Sequence, residues 1–116
     1  MEIKVNYELR EGKIEYYRII YSNKNENIIR NLIKFGARVN HRNKYGQTAL
    51  MKACHYGYIN NVDFLIKNGA EINTEDVDGN TPLTNACLNH NTEIVRYLID
   101  HGAKVNRVNK NGDTPL

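Results

Sequence analysis

Residues 67–83 read KNGAEINTEDVDGNTPL, and residues 100–116 read DHGAKVNRVNKNGDTPL. The two stretches share Gly, Ala, Asn and a closing Gly-x-Thr-Pro-Leu at the same offsets, 33 residues apart. The spacing reaches well beyond them. Gly46, Gly79 and Gly112 keep it, as do Thr48, Thr81 and Thr114, and Gly36, Gly69 and Gly102. With 43–75 laid on 76–108, 11 of 33 positions are identical and no gap is needed. The identical residues are Gly, Thr, Leu, Ala, Cys, Val, Ile and Asn, types that turn a backbone or fill a core. The positions that differ are mostly polar. A fixed period of this length marks one supersecondary unit stacked on copies of itself.

The unit can be read physically. GQTALMKAC (46–54) and GNTPLTNAC (79–87) each begin with a Gly turn, then a Thr whose hydroxyl can cap a new helix. Pro82 suits the first helical position, with its fixed φ and missing N–H. Leu50 with Ala53, and Leu83 with Ala86, then form a narrow apolar face. After a short break a second helix follows. Val62, Leu65 and Ile66, and likewise Val95, Leu98 and Ile99, fall at i, i+3, i+4, the stripe of a half-buried helix. Gly69 and Gly102 are placed to stop that helix. Extended AEIN and AKVN segments are expected next, leading into an Asp/Asn/Gly turn before the next Thr.

Turn, helix, break, helix and hairpin-like loop in 33 residues resemble the ankyrin repeat. GNTPLTNAC matches that family's Gly-x-Thr-Pro-Leu-x-x-Ala opening, and TEIVRYLIDHGAKVN matches its second helix and hairpin. The resemblance implies an all-α solenoid of stacked helix-turn-helix units with hairpin-like loops to one side. We divide the chain into an extended segment 1–9, a degenerate capping repeat 10–42, repeats at 43–75 and 76–108, and the start of a truncated repeat at 109–116. In 10–42, ENIIRNLIKFGARVN supplies the second half in register, with Tyr17 and Ile20 where Leu and Ala would stand. Ile3, Val5, Tyr7 and Leu9 alternate with polar residues, the period of a short strand. The stub at Asn109–Leu116 opens a unit without its helices, which predicts a piece of a longer array with an open face at Leu98 and Ile99.

The sequence also departs from the family pattern. Met51 and Thr84 replace the His expected after Thr-Pro-Leu, so its polar tie back to the Thr is expected to be missing or reduced. His90 replaces the inter-helix Gly57 and is expected to take a positive φ. Asn61 occupies a normally apolar place that Ile94 fills, which predicts a slightly weaker repeat at 43–75.

Composition narrows the function. The chain has 41% hydrophobic and 25% charged residues and a formal net charge of +3, ordinary for a soluble globular domain. Acids and bases read as interspersed, which speaks against a dedicated nucleic-acid surface or membrane anchor. The start has no signal-peptide character, so a cytoplasmic location is expected. Cys54 and Cys87 are in register, and packed helices lie about 8–10 Å apart, farther than a disulfide spans. Buried free thiols are expected. His41, His55, His90 and His101 fall in different registers, so no catalytic group, metal site, cofactor or small-molecule substrate is expected.

Binding remains. Ankyrin repeats hold proteins with hairpin tips and the exposed side of each first helix, on a concave surface. The resemblance carries those positions to Lys44, Tyr45, Gln47, His55 and Tyr56. The second repeat supplies Val77, Asp78, Asn80, Leu88 and Asn89, and the stub Lys110, Asn111 and Asp113. Tyr45 and Tyr56 are the expected anchors. Two further readings follow from the resemblance. With Leu65 eight residues before and Glu71 two before, Asn73 resembles the context in which asparaginyl hydroxylases modify ankyrin repeats. The array could also be the targeting part of a larger adaptor whose other domain is absent.

Overall fold

The computed structural model describes residues 26–115. The expected strand at 1–9, and Tyr17 and Ile20 of the capping repeat, lie outside the described residues. Within them five α-helices occur: α1 (Glu26–Lys34), α2 (Ala49–Tyr56), α3 (Ile59–Lys67), α4 (Pro82–Leu88) and α5 (Thr92–Asp100). Helix α2 pairs with α3 and α4 with α5, one pair in each 33-residue register. Between registers α2 packs on α4, α1 on α3, and α3 on α5. Two rows result, α2–α4 and α1–α3–α5, with the core between them. Among the described residues there is no strand.

Local chemistry sets each boundary. Thr48 and Thr81 are extended, and their hydroxyls accept from the N–H groups of Met51 and Thr84. These caps satisfy donors that a helix start otherwise leaves open. Helix α3 ends in paired bonds, Gly69 N–H to Ile66 O at 3.1 Å and Ala70 N–H to Leu65 O at 2.9 Å. Helix α5 ends the same way, with Gly102 N–H to Ile99 O and Ala103 N–H to Leu98 O. This doubled closure needs a left-handed residue after the helix, and Gly69 and Gly102 provide it at φ 96° and 99°.

Leu50, Ala53, Leu83 and Ala86 are buried between the rows, and Val62, Leu65, Ile94 and Leu98 are wholly so. Three expectations are corrected. The AEIN and AKVN segments are turns at Ile72–Asn73 and Val105–Asn106, not extended chain. There the Asn73 side chain is drawn across to the following loop. Leu98 is not on an open face: it is wholly buried against its own unit and its neighbour. Ile99, one position on, is the exposed residue, while Ile94 fills the core beside Leu98 as expected and Val95 is half-buried against it. Cys54 is buried, as a small core residue should be, but Cys87 is only half-buried.

The departures in the sequence have structural counterparts. His90 holds φ 55°, the only non-glycine with positive φ among the described residues. The tie lost with His is partly restored at Thr84, whose hydroxyl lies 3.2 Å from that of Thr81. Met51 is buried and offers no such group. Asn61 is buried at the register of Ile94.

Candidate binding surface

Each loop tip is built on one side-chain oxygen. Asn43 Oδ1 accepts from Tyr45 N–H and Gln47 N–H, Asp76 Oδ1 from Asp78 and Asn80, and Asn109 Oδ1 from Asn111 and Asp113. A short acceptor that bonds its own chain two and four residues on bends the tip without a strand ladder. Neighbouring tips then join backbone to backbone. Val77 N–H donates to Tyr45 O, and Lys110 N–H to Asp78 O, both at 2.9 Å. Gly46 and Gly79 make this approach possible: a Cβ on either would sit 3.1 Å from the next loop's backbone, besides the strain at positive φ. The 33-residue spacing of Asn43, Asp76 and Asn109 is the signal in the sequence for these side-chain-built tips.

Behind the tips a second set of bonds runs between units. Asn40 Nδ2 donates to Gly69 O and its Oδ1 accepts from Glu71 N–H. Asn73 repeats the pattern with Gly102 O and Lys104 N–H. The amide of Asn73 therefore spans two loops, and nothing in its geometry separates it from Asn40. Arg42 donates from Nη2 to Glu75 O at 2.6 Å and from Nε to Gly46 O, while the Glu75 carboxylate pairs with Arg107.

The predicted contact residues fall into two groups. Lys44, Tyr45, Val77, Asp78, Lys110, Asn111 and Asp113 are exposed at the tips. The Lys44 ammonium stands 5.1 Å from the Tyr45 ring centroid. Gln47 and Asn80 are half-buried and engaged within the loops, Gln47 with Asn43 Nδ2 and Asn80 with Asn109 Nδ2. His55, Tyr56, Leu88 and Asn89 are exposed at the ends of α2 and α4. His55 and Asn89 are brought together at 3.1 Å. Tyr56 packs edge-on to His55 and stacks on Tyr58. A cavity of about 440 Å³ is shared by Leu88, Cys87 and His90 with Asn109, Asp113 and Pro115, so the end of α4 and the third tip form one wall.

The opposite row carries a polar strap that the sequence did not suggest. Tyr97 O–H donates to Asp63 Oδ1 at 2.7 Å, and Lys67 pairs with the same carboxylate at 3.0 Å. Those hydrogen bonds, Tyr97's first, hold the Asp63 carboxyl below its usual range. Burial and the neighbouring carboxylate push the Tyr97 hydroxyl up to about 12. His101 stacks on the Tyr97 ring at 4.0 Å, its Nδ1–H donating to Tyr97 O. Burial pushes both cysteine thiols up. Among the described residues no group of three His, Cys, Asp or Glu could share a metal ion, and no helix is long and apolar enough to cross a membrane.

Comparison with known proteins adds two matches. A family model described as ankyrin repeats (many copies) covers residues 32–86, and one described as ankyrin repeats (3 copies) covers 74–116. Together they span 32–116. No curated protein matches the chain.

Proposed function

The chain belongs to the ankyrin repeat family, whose repeats generally mediate protein–protein interaction, and from that premise we propose that it binds a protein partner, without catalysis, through its loop tips and the exposed side of α2 and α4. One observation carries this reading. Of the seven large apolar or aromatic side chains left exposed among the described residues, four belong to that set: Tyr45 at 52%, Tyr56 at 48%, Val77 at 47% and Leu88 at 67%. Exposed apolar side chains that recur on neighbouring units, rimmed by polar groups, mark an interaction surface. The contacts are Tyr45, Tyr56, Val77 and Leu88 as anchors, with Lys44, His55, Asp78, Asn89, Lys110, Asn111 and Asp113 as rim. Gln47 and Asn80 act by holding the tips.

Peptides selected on the whole chain from an unbiased display library test this. Selected binders should compete with one another and lose at least tenfold in affinity on the Tyr56→Ala, Leu88→Ser double variant, the cost of removing hot-spot contacts of about 1.4 kcal/mol or more. Binders indifferent to both changes contradict the reading.

A further inference from the structure

The acids of this chain are not evenly spread. Between Glu26 and Asp63 there is no Asp or Glu, while Arg30, Lys34, Arg38, Arg42, Lys44 and Lys52 fall in that stretch. The interspersed charge read from the whole composition hides this segregation. The tip and first helix of 43–75 lie wholly inside the acid-free stretch. The corresponding part of 76–108 has Asp76 and Asp78 at its tip and no charge on α4.

Hydrogen bonding sharpens the picture on α2. Asn89 Nδ2 donates to Asn85 O at 3.0 Å, and a carbonyl can only accept, so that atom is the amide nitrogen. Its contact with His55 Nδ1 at 3.1 Å therefore makes Nδ1 the accepting nitrogen. The ring proton sits on Nε2, directed away from that bond. Lys52, His55 and Tyr56 are spaced i, i+3 and i+4 on one helix and share a face. That face offers an ammonium, an imidazole N–H and a phenol O–H, and no carboxylate. One unit on, the same register reads Asn85, Leu88 and Asn89, neutral and apolar at its centre.

Building on the binding reading above, we infer that the partner is an acidic protein segment with an apolar anchor. Its carboxylates face Lys44, Lys52 and His55, and its anchor lies over Leu88 and Val77. Asp78 fixes the direction, because an acidic side chain opposite it would be repelled. A nucleic-acid backbone fits less well. Arg42 is committed to Gly46 O and Glu75 O, and Arg30 lies over the Phe64 ring. Asp78 and Asp113 interrupt the row of tips that a run of phosphates would have to follow.

The library selection above distinguishes the two levels of the argument. The inference expects selected peptides rich in Asp and Glu with one or two aliphatic or aromatic residues. Their affinity should fall about five- to tenfold on Lys52→Glu, less on Lys52→Gln, and again between 50 and 300 mM salt. Circular dichroism of each variant checks that it remains folded, and the Gln variant keeps the test open if the Glu variant does not. Neutral or basic peptides that need Tyr56 and Leu88 but ignore Lys52 overturn the acidic partner and leave the surface standing. Peptides that ignore Tyr56 and Leu88 overturn both, as does a selection that returns no binder. A 20-mer single-stranded or duplex DNA that binds more tightly than the selected peptides at 150 mM salt overturns the inference in favour of nucleic acid.

Discussion

The units 43–75 and 76–108 share a backbone plan and differ in their neighbours. Helix α3 of the first is packed on both sides, against α1 and α5, whereas the main packing of α5 among the described helices is on α3 and its partner α4. Identical residues are buried to different extents in the two units. Cys54 is wholly buried and Cys87 is half-buried; Val62 is wholly buried and Val95 is not; Ile66 is half-buried and Ile99 exposed. Burial at these registers is thus a property of the stack and not of the unit, as expected where each repeat contacts only its neighbours. Locally the balance runs the other way. The second unit has Pro82 at its helix start, Asn91 accepting from Ile94 N–H where Tyr58 makes no side-chain cap, and Ile94 where the first unit buries Asn61. Its one local cost is His90.

The largest effect that would break the comparison is a deletion in the shared core. Leu65→Ala and Leu98→Ala should each cost about 2–5 kcal/mol, because both side chains are wholly buried. Urea unfolding followed by circular dichroism measures both, and a negligible loss at either would contradict its place in the shared core. Next come the caps. Thr48→Ala and Thr81→Ala should each cost about 1–2 kcal/mol, with Thr81→Ala the larger because Thr84 also loses a hydroxyl partner. Thermal melts of the pair decide the order.

How far these effects could be foreseen differs by residue type. Gly69, Gly102, Thr48 and Thr81 act on their own turns, and their spacing in the chain was enough to place them. The burial of Leu98, the half-exposure of Cys87 and the Tyr97–Asp63 bond depend on what lies one unit away. No local period reports that. Likewise Gln47 and Asn80 looked like tip contacts, and only the side chains of Asn43 and Asn109 show them engaged within the loops. The exposure of Tyr45 and Val77 was legible because a side chain at a loop tip stands outside the core in any such repeat.

Smaller tests sharpen the local side of the comparison. His90→Gly should stabilise by about 0.5–1 kcal/mol, since a left-handed backbone strains any residue with a Cβ. Gly57→Ala should destabilise, because φ is 77° there and a Cβ would lie 2.7 Å from Asn91 Nδ2. A thermal shift of the same sign for both would contradict the assignment. The smallest effect is the pH dependence of the outer strap. Tyr97 has a raised pKa, so its contribution is whole below about pH 10, the usual tyrosine value, and is lost as pH rises through about 12. Asp63 is depressed, so its contribution is whole above about pH 4 and fades as pH falls below that. Tyr97→Phe should flatten the alkaline limb of a urea midpoint-against-pH curve, and an unchanged limb would exclude the bond as its source.

At the same register of α2 and α4, Cys54 is buried and Cys87 half-buried, and the two thiols report how far each helix face is covered without any substitution. Native protein should be treated with a small thiol reagent and the labelled peptides followed over time. The account predicts that Cys87 is modified in the folded state, while Cys54 reacts only at the rate of unfolding. Modification of Cys54 as fast as Cys87, or ahead of it, would contradict the stack described above.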